Sequence, residues 1–151
     1  MPYGQAKEIL NYAREFHRRV GEFYQKLADK ADSARVKMLL DYLVRHKAHL
    51  DKVLGEYEED VKSRALDGWY QYSQNHCLFE PLDEAKYSPD MTVEDVMKIG
   101  LTLDQCLIAS YKGMAEAATT PECREIFENL LLMEQQQKHK LARITLEIND
   151  M

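Results

Sequence analysis

The stretch LVRHKAHLDKVL, residues 43–54, places His46 and His49 three residues apart among Leu43, Leu50, Val53 and Leu54, on a stripe that should face a core. Three other apolar stripes are interrupted in the same way. His17 lies between Phe16 and Val20, Asp104 between Leu103 and Leu107, and Glu134 with Gln137 between Leu131 and Leu141. Imidazoles and carboxylates either ligate metal ions or lock one another into ionic networks. Pairs at i and i+3 share one helical face. If the helices close into a bundle, all six residues meet at one level of its interior. Burying them costs several kcal/mol unless they satisfy one another or bind something.

The elements that position them are helical. Only four prolines and six glycines occur in 151 residues rich in Leu, Ala, Glu, Lys and Gln, which favours helix over sheet. Apolar spacing of three and four predicts helices at about 5–30, 33–60, 92–118 and 121–148. Asp32 or Ser33 is placed to cap the second. Thr92 and Asp95 form a capping pair for the third, and Thr120 with Pro121 starts the fourth. Short turns make helices 1–2 and 3–4 antiparallel hairpins. The segment at about 61–91 is long enough to run the length of a helix, so the chain reads as an antiparallel four-helix bundle with one long crossover. Trp69, Tyr70 and Tyr72 are expected to fold that crossover against the bundle.

The two hairpins repeat. His17, Tyr24 and Ala28 match Asp104, Tyr111 and Ala115. Leu39, Tyr42, Leu43, His46, His49 and Val53 match Phe127, Leu130, Leu131, Glu134, Gln137 and Leu141. His17 precedes His46 by 29 residues and Asp104 precedes Glu134 by 30.

These stretches resemble the ferritin-like superfamily, in particular its small rubrerythrin-like four-helix proteins. GEFYQKLAD and LLDYLVRHKAHLDKVL look like the first half of that pattern, LDQCLIASYKGMAEA and FENLLLMEQQQKHKLA like the second. The resemblance covers all four helices and implies one all-α, ferritin-like domain over residues 1–151. The family holds two iron or manganese ions with a Glu on helices 1 and 3 and Glu-x-x-His on helices 2 and 4. Here His17 and Asp104 stand at the single Glu positions, His-x-x-His at 46–49, and Glu-x-x-Gln at 134–137. Two carboxylates balance one divalent ion instead of two. The resemblance therefore implies a mononuclear site for iron, manganese or zinc, with His17, His46, His49 and Glu134 as ligands and Asp104 and Gln137 supporting them. Redox or oxygen-related chemistry, as an oxidoreductase, is the function implied. The four-cysteine iron centre that often accompanies rubrerythrins is absent, so an electron donor would be another protein. The rival reading is a non-catalytic bundle that lost its dimetal site and serves as a dimeric interaction or ligand-binding module. Two carboxylates and two protonated histidines would hold it together without a metal.

Composition narrows the partners. A net charge of −6 with scattered basic residues argues against nucleic acid and anionic membranes. No apolar run approaches the ~18 residues of a membrane span. Three cysteines, Cys77, Cys106 and Cys123, form no metal-type pairing, which fits a reduced, cytoplasmic protein. A homodimer is expected. Nothing pairs His76 and Cys77 in the crossover, and His139 falls off the polar stripe onto an exposed face.

Overall fold

The computed structural model describes residues 3–63, 69–71, 88, 90–118 and 120–150. Four helices dominate: α1 (Ala6–Lys30), α2 (Ala34–Ser63), α3 (Val93–Ala117) and α4 (Pro121–Asn149). The capping chemistry holds in detail. Ser33 Oγ accepts from the amide of Val36. Thr92 and Asp95 form a reciprocal capping box, and Thr120 Oγ1 accepts from Cys123 N with Pro121 opening the helix. Each cap satisfies amides that helix geometry leaves without partners.

Cross-helix contacts fix the directions. Arg14 of α1 pairs with Asp51 and Glu58 of α2, so this hairpin is antiparallel. Asn149 near the end of α4 reaches Glu94 at the start of α3, and Arg35 at the start of α2 donates to the Asn149 carbonyl. Helix α4 is therefore antiparallel to both α2 and α3. It follows that α2 and α3 run parallel, as the long crossover requires. No described helix is long and apolar enough to cross a membrane.

One element was not foreseen. β1 (Tyr3–Gln5) pairs antiparallel with β2 (Trp69–Gln71), Tyr3 opposite Gln71 and Gln5 opposite Trp69. This ladder ties the beginning of the crossover to the residues preceding α1. The side chains of Trp69 and Tyr70, and all of Tyr72, His76 and Cys77, lie outside the described residues.

The hairpins are related by one constant offset. α3 starts and ends 87 residues after α1 (Ala6 to Val93, Lys30 to Ala117), and α4 starts 87 residues after α2 (Ala34 to Pro121). The buried residues obey it: Phe16 and Leu103, Val20 and Leu107, Tyr24 and Tyr111, Val36 and Cys123, Leu40 and Phe127, Leu43 and Leu130, Leu54 and Leu141. These residues form a single apolar cluster, each large member contributing about 1.5–3 kcal/mol by burial.

Candidate functional site

The same offset corrects the polar layer. His17 corresponds to Asp104, as the sequence suggests. Glu134 corresponds to Lys47, not to His46. Lys47 is 2% exposed, with His17 at 0%, Asp104 at 6% and Glu134 at 1%. His46 is half-buried and His49 is exposed. The inward stripe of α2 is thus Val36, Leu40, Leu43, Lys47, Leu50 and Leu54. Among the six predicted residues, His17, Asp104 and Glu134 are core groups, Gln137 is half-buried beside them, and His46 and His49 lie off the core stripe.

Four buried groups therefore form two crossings between the hairpins. Lys47 Nζ on α2 donates to Asp104 Oδ1 on α3 at 2.7 Å. His17 Nε2 on α1 lies 3.3 Å from Glu134 Oε1 on α4. The offset maps one crossing onto the other. Both basic groups come from the first hairpin and both acids from the second.

The charges are mutually tuned. Burial alone would lower the Lys47 pKa, but Asp104 and then Glu134 raise it above the ordinary lysine value, so Lys47 stays an ammonium. Burial would raise Glu134, yet contact with His17 and the Lys47 charge hold it below the usual range. Burial, then the Lys47 charge, depress His46 to about 4. This ring stacks on Tyr42, with centroids 5.9 Å apart. A tyrosine stands beside each crossing. Burial pushes Tyr24 well above 10, helped by Asp104, and pushes Tyr111 likewise, helped by Glu134.

The layer does not fit a two-metal centre. One carboxylate already holds an ammonium that lies among the core groups, where it would repel a divalent ion. Leu50 fills the position corresponding to Gln137, so the α2 i+3 ligand is missing too. Among the described residues, no group of three or more His, Cys, Asp and Glu side chains is arranged to hold a metal ion.

Sequence reasoning missed Lys47 because a lysine inside HKAH reads as solvated while the histidines read as ligands. The signal was present: a shift of one residue turns the unequal separations of 29 and 30 into equal ones, Lys47 standing 30 residues after His17.

No family model matches the chain, and no curated protein does. The fold has a solved counterpart: a crystal structure from Thermotoga maritima, provisionally assigned as a ferritin-like diiron-carboxylate protein. It superposes with a TM-score of 0.63 over 97% of this chain and 98% of that one, at 14% identity. The likeness shows a ferritin-like helical bundle.

Proposed function

We propose that this chain is a ferritin-like bundle whose core cation is its own lysine, and that it works as a binding module through its outer surface. The observation that supports this reading is Lys47 Nζ at 2.7 Å from Asp104 Oδ1, inside the bundle interior. The Lys47 ammonium supplies positive charge to Asp104 directly and, through space, to Glu134, so the layer carries a cation of its own.

The outer face of α4 is the surface that fits a partner. Leu132 and Leu146 are 54% and 64% exposed, and no acidic residue lies between Glu134 and Glu147. Between the two leucines, Gln136, His139, Lys140 and Arg143 line a shallow depression. Leu132 and Leu146 each stand seven residues from His139. Two copies crossing antiparallel there would set Leu132 of each against Leu146 of the other, at the cost of gathering Lys140 and Arg143 of both copies on one face, and this homodimer is the first partner to test.

One observation favours a second reading. His46 is close enough to Glu134 and His17 to feel both charges. A single divalent iron, manganese or zinc ion held by His17, His46 and Glu134, with Asp104 and Gln137 in support and His49 swung in from the surface, is that alternative. A redox function with a separate electron-donor protein belongs to it.

Elemental analysis of protein purified without chelator or affinity-tag metal separates the two. The binding-module reading expects metal far below one ion per chain, unchanged in a His46→Ala, His49→Ala double variant, after anaerobic incubation with iron, manganese or zinc. One ion per chain, lost in that variant, would overturn it. Sedimentation of wild type beside Leu132→Glu, Leu146→Glu then tests the dimer: loss of a wild-type dimer is expected, and a monomeric wild type sinks that pairing.

A further inference from the structure

The two crossings are satisfied to different degrees. At the His17–Glu134 crossing, His17 Nδ1 and Nε2, Tyr111 Oη, Glu134 Oε1 and Gln137 Oε1 are all buried with no hydrogen-bond partner among the described residues. The 3.3 Å His17–Glu134 approach thus falls short of hydrogen-bond geometry. At the Lys47–Asp104 crossing only Tyr24 Oη is in that state, and the ion pair itself is hydrogen-bonded. Leu50, opposite Gln137 in the repeat, presents no polar atom at all.

Each buried polar atom left without a partner carries its full desolvation penalty, and five at one level would consume much of a domain's net stability. What completes them must both donate and accept, because the set includes a phenol and an imidazole N–H as well as carboxylate and amide oxygens. It must also be small, since His17, Tyr111 and Glu134 are at most 1% exposed. A second cation is disfavoured by the Lys47 ammonium and by the donors facing the site. Water meets every condition, and buried waters ordinarily make about three hydrogen bonds to such groups.

We propose that His17, Tyr111, Glu134 and Gln137 form an internal hydration site that holds at least one ordered water on the second diagonal of the core layer. The inference rests on the metal-independent reading above. The water joins the imidazole to the carboxylate, so that this crossing is a bridged pair where the other is direct. Gln137 is the residue that makes the site polar, and Leu50 is the reason the other half lacks one.

The test is a high-resolution crystal structure of protein shown by elemental analysis to be metal-free, with oxygen-17 relaxation dispersion in solution to count long-lived internal waters. Density is expected within about 2.7–3.2 Å of at least three of the five atoms, with one slowly exchanging water lost in Tyr111→Phe or Gln137→Leu. Both variants keep most of the side-chain bulk, and their circular dichroism verifies the fold. A dry layer in which His17 Nε2 and Glu134 close to a direct hydrogen bond, with the same internal-water count in wild type and variants, overturns this inference and leaves the metal-independent reading standing. If the elemental analysis instead returns one metal ion per chain, lost in the His46→Ala, His49→Ala double variant, both fall.

Discussion

The Lys47–Asp104 and His17–Glu134 crossings occupy corresponding positions on one repeated scaffold, yet only the first is a hydrogen-bonded ion pair. The difference lies in the side chains and not in the backbone. An ammonium on a four-carbon stem rotates three donors onto whichever acceptor is near. An imidazole offers two fixed in-plane directions, and at His17 neither meets a partner among the described residues. A pseudo-symmetric frame therefore equalises positions without equalising interactions: reach and donor geometry decide which crossing closes by itself.

The strongest way to break this comparison is to remove one partner from each crossing. Lys47→Met preserves volume but leaves the Asp104 carboxylate unpaired in the core, and should lower stability by about 3–5 kcal/mol. The double variant Lys47→Met, Asp104→Leu should recover most of that loss. Glu134→Gln at the looser crossing should lower stability by only about 1–2 kcal/mol. Urea unfolding of all three at neutral pH provides the comparison, and equal losses in the two single variants would show that the crossings are energetically alike.

Acid should sharpen it next. His46 is held at about 4 in the folded chain against 6.5 as its ordinary value, so below pH 6.5 the unfolded state binds more protons than the folded state. The His46 contribution is fully present above pH 6.5 and is lost as pH falls towards 4. It amounts to about 1–3 kcal/mol once solvent screening at a half-buried ring is allowed for. Unfolding midpoints at pH 7 and pH 4.5 should separate in wild type and draw together in His46→Phe, which keeps a ring against Tyr42. A pH dependence untouched by that change would assign it to other groups.

The smallest effect concerns Tyr24. A Cβ at Gly100 would stand 3.1 Å from the Tyr24 hydroxyl, whereas the corresponding residue on α1 is Ala13. Gly100→Ala gains up to about 1 kcal/mol of helix propensity and crowds that hydroxyl. Its net effect on stability should stay within about 1 kcal/mol and become clearly favourable in a Tyr24→Phe background. Calorimetric melting of both pairs decides it, and an equal effect in the two backgrounds would remove the hydroxyl from the account.

Much of the fold was legible because its signals are local and redundant. Thr92 with Asp95 and Thr120 with Pro121 mark helix starts whatever surrounds them, and apolar spacing marks the faces. Three core polar groups, His17, Asp104 and Glu134, were legible because each interrupts an otherwise apolar stripe. Lys47 was not, since its burial depends on a carboxylate 57 residues away, and no local pattern announces that pairing. His46 and His49 were placed on the core stripe for the complementary reason: their residue type suggested chemistry, while the helical phase sets one half-buried and the other outward. The β1–β2 ladder was hidden because three residues on each side are too few to show alternation.

The separation of basic and acidic core groups by hairpin also governs how halves of this molecule recognise each other. Two copies of residues 6–63 would bring His17 and Lys47 against their own kind, and two copies of 93–149 would do the same with Asp104 and Glu134. Only the mixed pairing sets basic groups against acidic ones. Expressed as separate chains, the halves should find one another and reject themselves, which makes the layer a matching code that excludes self-paired assemblies while the apolar surface around it would accept them.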